Sequence, residues 1–393
     1  MEISQPWPLM ADNVTADDLR VLREYLSLSN PRLTHGPKVL EFEAAWADWV
    51  GVDHSVMVNS GSSANDLTLL ALRELHGEGG VIMSPLGWVS DISAVVHSGL
   101  RPVFVDIDPN TLGIDNAMAV DRVSDDSLAV LAVHILGLNC LSTELINHCR
   151  ATATVLIEDV CESHGATFNG SKCGSLGDVS NFSFYYAHHL TTIEGGAICT
   201  DNAELADVVR MMRSHGLLRE SRSDSRKLSV RSRFQDLNPE FIFEFLARNN
   251  RPTELSGVLG LNQLPRLDAN VLIRRRNFKL FVETLDPSKF RVEFDLDESS
   301  NYSFIVVLRE PDFGARDRIE NVLRDLEIEF RRGLSGGGNL LRQPFARRLF
   351  PDVDPQRFPE VEHVHHFGWY IGNHPGIHET SAYELATLLN GIL

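Results

Sequence analysis

ATVLIEDVCESHGATFNGSKCGSLGDVSNFSFYYAHHLTTIEGGAICTDN, residues 153–202, contains three short apolar runs, ATVLIED, NFSFYY and GAICT, separated by glycine-rich turns. Runs of this length bounded by turn residues read as buried strands. The first run ends on Asp159, and the second leads into a tight turn with two histidines, His188 and His189, closed by Gly195 and Gly196. A carboxylate at a strand end and an imidazole in a turn are both placed where chemistry could be done.

Working outward, the same rhythm extends from Val56 to about Met212. VMV is followed by the helical pattern SANDLTLLALREL, GVIMS by WVSDISAVVHSG, and then come PVFVDI and SLAVLAVHI. Strands spaced by crossover helices predict a doubly wound α/β sheet, with ligands at the carboxyl ends of its strands. Residues 217–238, rich in serine and arginine, break the rhythm and read as a long mobile loop or lid, or equally as a disordered surface segment. Beyond Arg251, YSFIVVLR, a helical stretch near Ala315 to Leu326 and IEFRRG predict a smaller α/β unit.

Composition narrows the function classes. A chain of 393 residues that is 43% hydrophobic can bury a large core. The net charge of −18 and the scattered arginines argue against a nucleic-acid surface. No leader pattern and no run of about 18 apolar residues occurs, so a soluble cytoplasmic protein with no membrane partner is expected. The five cysteines are widely spaced and include no CxxC, so free thiols are expected and no metal site.

Ser60-Gly61-Ser62-Ser63-Ala64-Asn65 follows a strand and opens a helix. Small residues there let backbone amides approach a phosphate, although the same pattern also serves as a plain helix cap. Asp159 could hold a ring nitrogen protonated, as a pyridoxal-type electron sink requires, or simply make a turn. Trp88 could stack on a flat ring or sit in the core.

Phe42, SGSSAN, PVFVDIDPNTLGID, EDVCESHGATFNGSKCGSLGD, FSFYY, EGGAICTDN, SHG and NNRPTELSG occur in that order, and together they resemble the DegT/DnrJ/EryC/StrS sugar aminotransferase family. The likeness runs from about Leu33 to the end. It implies the aspartate-aminotransferase fold (PLP-dependent fold type I), with a large mixed-sheet domain over 1–250 and a smaller C-terminal α/β domain over 251–393. It also implies pyridoxal 5'-phosphate or pyridoxamine 5'-phosphate as cofactor.

The departure from the family pattern is informative. Its aminotransferases carry, in the turn of residues 183–196, a lysine that bonds the cofactor, and the matching position here is His188. The only lysines are Lys38, Lys172, Lys227, Lys279 and Lys289, so non-covalent cofactor binding is expected. An imidazole can move protons near neutral pH but cannot form that bond. This change, with Trp88, Glu162, Arg331 and YIGNH ending at His374, is similar to the lysine-free branch that dehydrates GDP-linked 4-keto-6-deoxy hexoses at C3. A second lysine-free branch adds an iron–sulfur cluster on closely spaced cysteines. The cysteines here lack that spacing, so no iron–sulfur reductase is implied.

The resemblance therefore implies a 3-dehydratase (a lyase) that takes an amine from glutamate and releases ammonia, with His188 as base and Asp159 at the ring nitrogen. Gly61, Ser62, Ser183, Trp88 and Glu162 would bind the cofactor. Asn249 would reach the phosphate of a neighbouring subunit, which implies a homodimer with shared sites. Arg219, Arg331 and His374 would hold the nucleotide-sugar substrate. Two other readings stand beside this one: a nucleotide-sugar aminotransferase, and a catalytically inert relative that binds the same ligands.

Overall fold

The computed structural model describes residues 7–11, 13–296 and 298–393. Its main sheet has seven strands, ordered in space as His54–Val58, Gly196–Thr200, Val179–Ser183, Val155–Asp159, Ser127–Val133, Gly80–Met83 and Arg101–Phe104. Gly196–Thr200 runs antiparallel to both neighbours, and the other neighbouring pairs are parallel. Each apolar run in the first half of the sequence thus becomes a strand. Helices cover both faces of such a sheet, so its strands read as near-continuous apolar runs and not as alternating ones. Gly80–Met83, Val179–Ser183 and Gly196–Thr200 are buried at every position.

The crossover helices start where their caps dictate. Ser60 accepts the Ser63 N–H (3.0 Å) and opens Gly61–His76, while the N–H of Trp88 donates to Asp91 Oδ2 (3.0 Å) at the start of Val89–His97. Helix Pro37–Val50 is capped from far along the chain: the Glu254 carboxylate accepts the N–H groups of Lys38 and Val39, both at 2.9 Å. Glu254 opens helix Glu254–Gln263, which packs against Pro37–Val50. A Cβ at Gly260 would sit 2.6 Å from the Phe42 ring, so the contact needs a glycine.

A second sheet of three antiparallel strands places Gly368–Gly372 between Ser303–Val307 and Phe330–Arg332. Helices Leu267–Thr284, Phe313–Asp325 and Glu379–Ile392 bury Phe278, Phe281, Ile319 and Leu385 around it. Residues 7–9 join this layer: Trp7 Nε1 donates to Gly372 O (2.9 Å) and the Leu9 N–H to Glu329 Oε2 (2.8 Å).

The stretch 217–238 is not the open loop its composition suggests. It contains the helix Asp224–Arg233, capped by Ser223 accepting the Arg226 N–H (3.2 Å). Arg226 braces the segment through Glu244 (3.1 Å) and Asp207 (3.5 Å). Val230 is the helix's one buried residue, so the segment carries almost no apolar periodicity for a sequence reading to detect. Among the described residues, no helix is long and apolar enough to cross a membrane.

Candidate active site

The carboxyl ends of the central strands form the floor of the site. Asp159 ends its strand opposite Val133 and Asn181 and is buried. Its Oδ1 accepts the Cys161 N–H (2.9 Å), and its Oδ2 accepts a bond from Asn65 Nδ2 (2.8 Å). Asn65 lies one turn into the helix that opens at Gly61, so the SGSSAN segment and Asp159 share one wall. A Cβ at Gly61 would meet Ser183 Cβ at 2.6 Å and Cys161 Sγ at 3.0 Å. Glycine lets the backbone come this close, and the amides of Gly61 and Ser62, at the start of the helix, have no carbonyl one turn back to bond. Such a helix start suits an anion.

His188 sits in the turn between Val179–Ser183 and Gly196–Thr200. Phe184 N–H to Gly195 O (2.8 Å) and Thr192 N–H to Phe184 O (2.9 Å) close the turn. Ile193 takes φ 71°, a strained value for a β-branched residue, and its N–H is held by Thr191 Oγ1 (2.9 Å). Asn13 Nδ2 donates to the carbonyls of His188 (3.3 Å) and His189 (3.0 Å). Around the His188 ring lie Tyr302 (5.6 Å between centroids), His164 (5.9 Å) and Tyr185 (6.2 Å).

Burial, aided by the nearby Arg274 guanidinium, pushes the His188 imidazole down to about 3, so the ring is neutral at physiological pH. Its Nδ1 is buried and has no hydrogen-bond partner among the described residues. His188 lines a cavity of about 330 Å³ together with Asn13, Arg266, Arg274, Tyr302 and His374. Arg274 donates to the carbonyls of Tyr302 (2.9 Å) and Asn373.

Glu162 lies one turn beyond Asp159, with Oε2 accepting the Leu136 N–H (3.0 Å) and Oε1 the Ser335 hydroxyl (3.1 Å). Burial chiefly, with a smaller push from Asp159, raises it to about 7. Trp88 is 54% exposed and so is not a core residue. The loop after Phe330–Arg332 packs on it, with the Gly336 N–H bonded to Gly87 O (3.1 Å).

The remaining residues singled out in the sequence lie further out. Arg331 is exposed at the edge of the second sheet, paired in register with Tyr370, whose hydroxyl feels both Glu162 and Arg331. Arg219 stacks over Phe241 (5.7 Å) and lies beside Glu220 (3.8 Å). Asn249 is exposed, its Oδ1 accepting the Arg251 N–H (3.3 Å). Asp91, Arg274 and Tyr302 also lie at the site and were not singled out in the sequence, whereas Asn65 was named there only as the end of the SGSSAN motif.

Among the described residues one group has metal-ligand chemistry, the buried His134, Glu158 and Cys173. Its donors are already used: Glu158 accepts the N–H groups of Gly174, Leu176 and Gly177, and His134 Nδ1 accepts that of Cys140. The group holds the 173–177 turn against the sheet.

This sheet, with a carboxylate and a turn histidine at its carboxyl edge, is that of the PLP-dependent aminotransferase fold. The chain belongs to the DegT/DnrJ/EryC1/StrS aminotransferase family, whose model matches residues 14–385. It is 31% identical to GDP-4-keto-6-deoxy-D-mannose 3-dehydratase of Escherichia coli O55:H7 over 366 residues, covering 92% of this chain and 94% of that protein. It is 33% identical to GDP-perosamine synthase of Caulobacter vibrioides over 241 residues, 61% of this chain and 60% of that one. A solved structure of GDP-4-keto-6-deoxymannose-3-dehydratase with a trapped PLP–glutamate geminal diamine superposes with a TM-score of 0.86 at 29% identity, covering 98% of this chain and 100% of that one.

Proposed function

We propose that this protein is a 3-dehydratase of a GDP-linked 4-keto-6-deoxy sugar that uses non-covalently held pyridoxamine phosphate and glutamate. The observation that carries the reading is His188, a neutral imidazole set in the turn where family aminotransferases place their lysine. The residues present fit the cofactor: the Gly61 cradle, which a Cβ would fill, suits a phosphate, and Asp159 suits a protonated ring nitrogen. When bound, the cofactor supplies an amine for the sugar ketone and a ring that accepts electrons.

The protein's own groups do the rest. The amides of Gly61 and Ser62, with Ser183, bind the phosphate. With the cofactor bound, Asp159 would hold the ring nitrogen protonated, and Trp88 and Glu162 would be the residues to contact the ring. His188 Nε2 takes a proton in the deoxygenation step, and the same imidazole can return it to the departing C3 hydroxyl. Oxidation of glutamate to 2-oxoglutarate supplies the two electrons that replace C–OH by C–H, and ammonia leaves. In this reading Arg219, Arg331 and His374 would hold the nucleotide-sugar substrate, with His374 lining the His188 cavity.

A second copy of the chain completes the site in this reading. Phe241 (58% exposed), Phe243 (56%) and Leu246 (96%) form an apolar stretch beside Asn249, which would be covered by a partner as Asn249 enters the partner's phosphate cradle.

Mass spectrometry of the sugar product tests the reaction. Loss of one oxygen without gain of nitrogen is the expected result. An amino sugar would replace it with the transaminase reading, which the likeness to GDP-perosamine synthase favours. Failure of glutamate to change the absorbance of bound pyridoxal phosphate would indicate an inert relative.

A further inference from the structure

Asp91 has no part in the reaction outlined above, yet it is 1% exposed and joined to Asp159 through a single side chain. Asn65 Nδ2 donates one N–H to Asp91 Oδ1 and the other to Asp159 Oδ2, each at 2.8 Å. The direction of this bridge is imposed from behind. Thr68 Oγ1 donates to Asn181 Oδ1 (2.7 Å), and Asn181 Nδ2 donates to Asn65 Oδ1 (2.8 Å). If the Asn65 amide turned over, its oxygen would face two carboxylates while its N–H groups faced another amide's N–H. Thr68, Asn65 and Asn181 are all at most 1% exposed, so water cannot rescue a wrong orientation.

Asp91 also reaches the ring-covering residue, since its Oδ2 accepts the Trp88 N–H (3.0 Å). Burial, with the neighbouring Asp159 next, holds the Asp91 carboxyl well above the carboxylate range.

We infer that Asp91 is a positioning residue for the cofactor's ring-nitrogen contact: through Asn65 it fixes the orientation of Asp159, and through the Trp88 backbone it ties that acid to the residue over the ring face. The inference rests on the cofactor site proposed above. It predicts that cutting the bridge weakens only those ligands that possess a ring nitrogen.

The test uses the full-length protein and two ligands, pyridoxal phosphate and its 1-deaza analogue, in which carbon replaces the ring nitrogen, with binding followed by absorbance titration. Asp91→Ala is expected to bind pyridoxal phosphate about tenfold more weakly, the scale of one lost bond to a charged group. Its affinity for the analogue should stay within about twofold of the unaltered protein's. Asn65→Leu should show the same selective loss with Asp91 in place, and Asp91→Asn, whose carbonyl still accepts from Asn65, should recover most of the affinity. A purely structural role would weaken both ligands alike, and that result, or undiminished affinity for pyridoxal phosphate, overturns the inference. If Asp91→Ala does not fold, Asn65→Leu decides by the same criterion. Failure of the unaltered protein to bind pyridoxal phosphate at all removes the cofactor reading, and this inference with it.

Discussion

The wall that carries Asp159 and the wall that carries His188 meet at the carboxyl edge of one sheet, but they treat their buried polar groups in opposite ways. On the first, Thr68, Asn181, Asn65, Asp91 and Asp159 join in an unbroken chain of donors and acceptors. On the second, among the described residues, His164 has neither ring nitrogen bonded, and Nδ1 of His188, His189 and His374 and Nε of Arg274 lack partners. A satisfied network resists rearrangement, so the first wall is suited to gripping a ligand in one pose. Orphaned buried groups are costly to keep and concentrate where a protein does chemistry. In the proposed reading this contrast matches a division into a wall that holds the cofactor and a wall that moves protons.

The largest effect that would sharpen this contrast is expected from His188→Asn. Turnover should fall by about 10²–10⁴, the range for loss of a general base, with cofactor affinity within about twofold, because the holding wall is untouched. Dehydration at the original rate would break the division of labour. An intermediate effect is expected on the opposite wall: in Gly61→Ala the added Cβ lies 2.6 Å from Ser183 Cβ. Relieving that overlap should displace the cradle and weaken the cofactor about tenfold, read by calorimetric titration.

The smallest effect is a matter of pH. Glu162, raised from 4.5 to about 7, keeps in the folded state a proton that the unfolded chain has released. Its contribution to stability is present below pH 4.5 and is lost as pH rises through 7. His188, lowered from 6.5 to about 3, acts in the opposite sense, contributing above pH 6.5 and losing that contribution as pH falls toward 3. In urea denaturation without cofactor, Glu162→Gln should therefore gain stability relative to the original protein between pH 5 and pH 8. A constant difference between the two proteins across that range would show that Glu162 is not held protonated.

Much of the fold was legible because strands buried on both faces leave apolar runs that need no neighbour to be recognised. The substitution at His188 was legible for a chemical reason: a turn that lacks a lysine cannot form the cofactor bond. What stayed hidden depends on distance along the chain. Asn65 meets Asp91 across 26 residues and Asp159 across 94, and nothing near any of the three announces the meeting. Arg274 and Tyr302 likewise reach the His188 cavity only once the second sheet is in place. The helix Asp224–Arg233 was missed because it buries little and is held mainly by the ion pairs of Arg226.

The reversed direction of Gly196–Thr200 has a mechanical consequence. A return to an adjacent antiparallel strand needs no helical crossover, so the span from Ser183 to Gly196 is a short loop bolted at both ends to the same two strands. The imidazole in this loop is referenced to the sheet through both ends, and the loop is also tied to helix Glu254–Gln263, where the Thr191 N–H donates to Gln263 Oε1 (3.0 Å). Shifts of helical layers that leave Glu254–Gln263 in place would then leave the His188 ring where it was.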